Sequence, residues 1–248
     1  MKLSRKLTKL FSHEALESIY EHVSRSIHPV SAGRVLATID RTEVAKLRAR
    51  YPGGADFPKI NRFADVPYWI KINVERAQDL WLDCAPSLRI LDLGCGAGYF
   101  LYACKFFGHD VLGLDLDDQA LFRDMLALLH VPRVISRIDP NIPLPDLGRK
   151  FDLVAAHRIC FQRIEGAASG REWSAEHWKF FIDDIRSRFL NPHGRLLLDF
   201  NPRPDGSSFF NSELRSFFIS QGARIRRSKA LLEADPGKRP RFKQTNHP

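Results

Sequence analysis

The sequence predicts an α/β fold: a doubly wound, mostly parallel sheet of seven strands with an N-terminal helical extension. Three observations predict it. From residue 67 onward, short apolar β-type runs alternate with amphipathic helical stretches, the pattern of parallel strands joined by crossover helices. The run at 90–93, Ile-Leu-Asp-Leu, breaks into Gly94, Gly96 and Gly98 and resumes as a helix, so a strand turns sharply into a helix N-terminus. The stretch beyond Gly222 reads as a hairpin rather than as another crossover.

At 248 residues, 44% hydrophobic and 27% charged, the chain is long enough for one large domain or for a core domain with an added piece. No apolar run approaches the roughly 18 residues that cross a bilayer. The basic start, 1–11, lacks the continuous apolar core of a signal peptide. Cys84, Cys95, Cys104 and Cys160 form neither a Cys-x-x-Cys pair nor a Cys/His zinc spacing, which reads as reduced thiols in a cytoplasmic protein without a metal. The net charge of +9 is uneven. Residues 1–60 hold 11 Lys/Arg against 6 Asp/Glu, residues 222–248 hold 8 against 2, and the middle holds 19 against 21. The basic ends offer a surface for nucleic acid, an anionic membrane face or an acidic substrate, or they are solvated tails.

Residues 1–66 read as a basic, mostly helical extension and 67–248 as the main domain. Leu3, Leu7, Leu10 and Phe11 share a helix face, which Leu16, Ile19, Tyr20 and Val23 continue. Glu14, Glu17 and Glu21 favour packing on the main domain over a membrane surface, and His28-Pro29 ends the helix. Thr42 caps a short helix to Arg50, and Tyr51-Pro52-Gly53-Gly54 is a turn. Pro67 opens an amphipathic helix over 67–84. After the glycine turn, a helix over 97–107 stops at Gly108, and a second buried strand, 110–116, carries Asp115 near its end. A helix over 118–129, capped by Asp117 or Asp118, leads to a third strand, 133–138.

The fourth strand, 151–156, releases His157 at its carboxyl edge. A loop at 166–170 precedes a long helix from Ser174 to about residue 189. Ser174-x-x-His177 is not a capping box, but Ser174 with Glu176 in the first turn suits a helix start. Asn191-Pro192-His193-Gly194 is a turn before the fifth strand, 195–200, and a helix over 212–220 ends at Gly222. The final hairpin pairs 223–234 with 239–245 around Asp235-Pro236-Gly237. Trp173, Trp178, Phe161, Phe180 and Phe181 either wall an aromatic or lipid-like substrate pocket or are core.

A dinucleotide turn requires Gly-x-Gly-x-x-Gly, and Tyr99 stands where its last glycine would be. Asp92 followed by Gly94-x-Gly96-x-Gly98 instead resembles motif I of the class I S-adenosylmethionine-dependent methyltransferases. The resemblance spans about 67–235 and includes the Phe151-Asp152-Leu153-Val154 opening of the fourth strand. It implies a Rossmann-like domain that binds S-adenosyl-L-methionine and moves its methyl group. The implied cofactor contacts are Asp92, Gly94, Cys95, Gly96, Gly98, Asp115, Leu116, Asp139 and His157. Asp115, 17 residues beyond Gly98, would accept both ribose hydroxyls. Asp139 would receive the adenine amino group, although Pro140 beside it has no N–H to offer.

By the same resemblance Tyr68, Trp69 and Arg76 reach the methionine end of the cofactor, or the two tryptophans of this helix, Trp69 and Trp81, are simply core. Ligands of open parallel sheets sit at the carboxyl ends of strands, so the segment from His157 to Phe161 faces the methyl group. His157 is the expected catalytic base, with His177 as the alternative. Arg158 or Arg163 binds an anionic substrate or pairs with Asp183 and Asp184. The absence of an Asn-Pro-Pro-aromatic run after the fourth strand argues against adenine-N6 or glutamine-amide chemistry. The expected acceptor is a small molecule. The other readings are an RNA or protein methyltransferase that holds a polyanion with its basic ends, and a non-catalytic protein that binds the cofactor on the same fold.

Overall fold

The computed structural model describes residues 30–162, 172–201 and 212–235. The helices read over 1–28, the loop 166–170, Arg163 and the strand at 239–245 lie outside the described residues. The elements in chain order are α1 (Ala32–Leu36), α2 (Arg41–Arg50), a 3-10 segment (Lys59–Ala64), α3 (Val66–Asp79), β1 (Arg89–Leu93), α4 (Tyr99–Phe106), β2 (Asp110–Asp115), α5 (Ala120–Leu128), β3 (Arg133–Ile135), β4 (Phe151–Ile159), α6 (Ala175–Asp184) running into a π turn (Ile185–Phe189), β5 (Leu190–Phe200), α7 (Ser212–Ser220), β6 (Arg224–Arg226) and β7 (Lys229–Glu233).

The seven strands form one sheet in the order β3-β2-β1-β4-β5-β7-β6. Strands β1 to β5 pair in parallel, and β7 joins β5 and β6 antiparallel. This is the expected doubly wound, mostly parallel, Rossmann-like sheet with a terminal hairpin.

Both faces of the central strands are covered, so their sequences are apolar nearly throughout. Alternate residues serve opposite layers. Ile90, Leu153, Ala155 and Leu197 pack with α3, α4 and α5. Leu91, Val154, Ala156, Leu196 and Leu198 pack with α6, α7 and the π turn. Val35, Leu47 and Ala64 belong to the same core cluster as Ile70 and Ile90, so the described part of the N-terminal segment packs on the sheet domain. Arg50 and Tyr51 both donate to Asp124 on α5, at 2.6 and 2.8 Å.

Several boundaries differ from the expectations. The cap of α2 is Asp40, which accepts from Thr42 N at 2.8 Å and Glu43 N at 3.2 Å, so the helix begins a residue before Thr42. Helix α3 starts at Val66 under an Asp65 cap and stops at Asp79, because Trp81 adopts φ 59°. Helix α5 begins only at Ala120. Asp117 is not its cap; it pairs with Arg123 and Arg133. Strand β3 ends at Ile135, three residues early.

Ser174 and His177 do form a capping box. Ser174 Oγ accepts from His177 N, and His177 Nδ1 accepts from Ser174 N at 3.0 Å. An imidazole thus does what Glu or Gln usually does. Asn191 to Gly194 form an irregularity inside β5: Phe151 pairs with Leu190 and Leu153 with Arg195, so four residues loop out of the ladder. Among the described residues, 223–234 is not one strand but a hairpin in itself, turning at Arg227-Ser228. Among the described residues, no helix is long and apolar enough to cross a membrane.

Candidate functional site

The glycine turn joins β1 to α4. Gly94, Gly96 and Gly98 have φ of 73°, 53° and 77°, which L side chains rarely adopt. Gly98 is also closely packed: a Cβ there would lie 2.5 Å from Leu126 Cδ2 on α5, which would have to shift. At Gly94, by contrast, a Cβ would meet nothing within 4 Å, so the turn has open space beside it. Gly94 N donates to Leu114 O at 2.7 Å, fastening the turn to β2.

Asp115, the last residue of β2, reaches across to this turn. Its Oδ2 accepts from Gly96 N at 2.6 Å and its Oδ1 from Leu116 N at 2.8 Å. The carboxylate is therefore fixed in orientation while each oxygen keeps a free lone pair. Burial raises its pKa, opposed by the two backbone N–H groups and by Arg133. Leu116 contributes main chain, its carbonyl accepting from Arg133 Nη1 at 2.6 Å. Cys95 also contributes main chain, because its thiol is buried against Gly113, where a Cβ would come within 2.6 Å of Sγ.

Tyr99 is buried and donates to Phe63 O at 2.7 Å. Phe63 stacks on Trp69 at 4.5 Å and meets Phe122 edge-on at 5.3 Å. Phe122 is the residue nearest a Cβ at Gly96, so the 3-10 segment and α5 wall the turn.

A second cluster lies at the carboxyl ends of β1, β4 and β5. Asp92, His157 and Asp199 share the parity of Ile90, Ala155 and Leu197, so all three side chains face the α3/α4 layer. Arg76 of α3 meets them there. Burial lowers its pKa, while Asp199 and Asp92 raise it and Arg158 lowers it. Its Nη1 donates to Asn73 Oδ1 at 2.9 Å. Asp92 is 3% exposed, and its Oδ1 has no hydrogen-bond partner. Burial drives its carboxyl well above the ordinary range, with Arg76 opposing and Asp115 adding.

Strand β4 runs on to Ile159, so His157 is not released at its edge. The imidazole is buried, and burial lowers its pKa from 6.5 to about 4, against the pull of Asp199. It stands as a neutral ring at neutral pH. Beyond it, the ladder slips between His157 and Ile159, leaving Arg158 as an exposed bulge residue at φ 54°. Asn201 Nδ2 clamps this bulge, donating to Arg158 O at 2.8 Å and Ile159 O at 3.1 Å.

The other expected residues fall elsewhere. Asp139 is half-buried in the segment after β3, with Arg137 Nη1 4.0 Å away. His177 is committed to the α6 cap. Asp183 and Asp184 pair with Lys179 and Arg188, not with Arg158. Phe161, Trp173, Trp178 and Phe181 pack on one another, and Trp178 also on Phe200 and Phe218, so these rings are core. Tyr68 is exposed, whereas Trp69 Nε1 donates to Arg62 O at 2.9 Å. Among the described residues, no group of His, Cys, Asp and Glu is arranged to hold a metal ion.

Asp199, Ser228 and Asn201 were not expected. For Asp199 the signal was there: a charge in Leu196-Leu197-Leu198-Asp199-Phe200, an otherwise apolar strand.

No protein-family model matches the chain, and no curated protein does. Solved structures do. DesVI from Streptomyces venezuelae is 15% identical over 78% of this chain and 98% of its own, with a TM-score of 0.46. The magnesium protoporphyrin IX methyltransferase of Synechocystis PCC 6803, solved with bound SAM, is 17% identical over 76% of this chain and 89% of its own, at 0.44. CalS10, an amino pentose methyltransferase from Micromonospora echinaspora also solved with SAM, is 21% identical over 66% and 58%, at 0.40. The likeness is one of fold.

Proposed function

We propose that the chain binds S-adenosyl-L-methionine at the β1–α4 turn and transfers its methyl group to a small-molecule acceptor. The observation that carries this reading is the Asp115 carboxylate, anchored by Gly96 N–H and Leu116 N–H beside a turn of three left-handed glycines. Its free lone pairs suit a vicinal diol such as a ribose. The residues fit the donor in two further ways. Gly94 leaves open space where a side chain would otherwise stand. The unpartnered Asp92 Oδ1 offers an acceptor for an ammonium, and the Arg76 guanidinium a cation for a carboxylate, at one end of the ligand. Asp139, near the end of β3, is the residue for the adenine amino group.

When bound, the donor supplies a methyl group already activated on a sulfonium. The chain's task is to align the acceptor with that methyl and to exclude water. The main chain at His157 lines the approach, and Arg158 offers a cation to an anionic acceptor.

Calorimetry with S-adenosylhomocysteine tests donor binding. Incubation with labelled donor and cell extract, fractionated into metabolites, RNA and protein, tests the acceptor class. Label in metabolites is expected. Label in RNA, with salt-dependent retardation of RNA in a gel, would place the basic ends in the function instead. Donor binding with no label transferred to any fraction would favour a non-catalytic role.

A further inference from the structure

His157 and Asp199 are register partners on β4 and β5. Their side chains are 6% and 7% exposed, with Nδ1 and Oδ2 3.8 Å apart. The other carboxylate oxygen, Oδ1, accepts from Ser228 Oγ at 2.9 Å, which leaves Oδ2 for the imidazole. Ser228 belongs to the β6–β7 turn, and its carbonyl accepts from Phe200 N at 2.9 Å, so the hairpin is fastened beside Asp199 by main chain and side chain alike. Neither nitrogen of His157 has a hydrogen-bond partner. Buried polar atoms without partners are rare in folded chains and call for an explanation such as a catalytic role.

We propose that Asp199, held by Ser228, orients His157 with Nδ1–H toward the carboxylate and the Nε2 lone pair toward the transfer centre, where it takes the proton of a hydroxyl or ammonium acceptor. This rests on the methyl-transfer reading above. The acceptor's lone pair, bared as its proton passes to Nε2, forms the bond to the methyl carbon. The pair of the carbon–sulfur bond returns to sulfur, and the new imidazolium faces Asp199. Asp199 is a positioning residue: it acts through His157.

The groups around the ring agree with this assignment. Burial above all, then Arg76 from α3 and Lys229 from β7, disfavours the imidazolium, and Asp199 from β5 favours it. The resting ring is thus a neutral acceptor. Phe100 of α4 covers it, with ring centroids 4.4 Å apart.

The test is the tautomer of His157, read from two-bond nitrogen–proton correlations on nitrogen-15-labelled full chain. The wild type should show a protonated Nδ1. Asp199→Asn should lose that bias, and Ser228→Ala, which leaves both partners in place, should weaken it. Transfer of labelled methyl to extract should fall about 100-fold in Asp199→Asn, the scale of general-base catalysis. A protonated Nε2 in the wild type overturns the proposal. So does an Asp199→Asn protein that folds and transfers methyl at the wild-type rate. If Asp199→Asn does not fold, an unchanged tautomer in Ser228→Ala overturns it. Binding of S-adenosylhomocysteine to the wild type is measured separately: its failure would remove the cofactor reading while leaving the tautomer result to stand.

Discussion

Replacing His157 by Asn should abolish a specific acid sensitivity of the fold. The imidazole is buried and its pKa drops from 6.5 to about 4. Between those values the unfolded chain binds a proton that the folded chain refuses. Stability therefore falls as pH drops through this window, and full neutrality above pH 6.5 costs nothing. The gap corresponds to about 3 kcal/mol once both limits are passed, and to about 2.5 kcal/mol by pH 4.5. Urea unfolding of wild type and His157→Asn at pH 7.5 and 4.5 measures it. Asp92 titrates with the opposite sign in the same range, since burial raises its pKa. That contribution is common to both proteins and cancels in the difference. Asp199 is shifted the other way: burial alone would raise its pKa, but the neighbouring His157 imidazole, the hydrogen bond from Ser228 and the charge of Lys229 bring it below the ordinary value, out of the window. The wild type should lose about 2.5 kcal/mol relative to the variant on going to pH 4.5. A difference that stays constant with pH would mean that the ring is not a buried neutral base, and the reasoning about its surroundings would fall with it.

Three further outcomes follow from the same geometry. Asp115→Asn can offer only one acceptor oxygen to two backbone donors, so it should lose about 1–3 kcal/mol of stability. Its affinity for S-adenosylhomocysteine should drop about 100-fold by calorimetry, the worth of charge-assisted bonds to a diol; unaltered affinity would remove Asp115 from the site. Gly98→Ala should destabilise by about 2–4 kcal/mol, combining left-handed strain with overpacking against Leu126; an unshifted melting temperature would contradict the turn as described. Asp92→Asn should gain stability over the wild type as pH rises above the ordinary carboxylate range, because the folded wild type keeps a proton that the unfolded chain has released. Parallel pH curves for the two proteins would show that Asp92 ionises freely.

The parts of the fold legible in the sequence are those dictated by local chemistry. The glycine turn, the strand beginning at 110 with its terminal acid and the helix Ser212–Ser220 all stand where the residues put them. The misses have local causes too. Thr42 and Asp40 are both good caps, and only the backbone geometry selects Asp40. The hairpin within 223–234 turns at Arg227-Ser228, which carries none of the Asn-Gly or Asp-Gly chemistry that marks such turns, with Arg227 at φ 51°. Pairing with β5 decides that register, and pairing partners are not written in the segment itself.

The site divides along the same line. Each half of the proposed donor cradle is a short string of neighbours, Asp92 to Gly98 and Asp115 to Leu116, and a string can be recognised. The polar cluster beneath α3 cannot be read that way, since it draws single residues from β1, β4, β5 and a helix that precedes them all. What unites them is strand parity: counting by twos from Ile90, Ala155 and Leu197 brings Asp92, His157 and Asp199 to one face. An ionisable group at such a position, in a strand buried on both sides, is costly unless something repays it. Three of them in adjacent strands, facing one arginine and leaving Asp92 Oδ1 and both nitrogens of His157 without partners, are what make this cluster a candidate for binding or proton transfer.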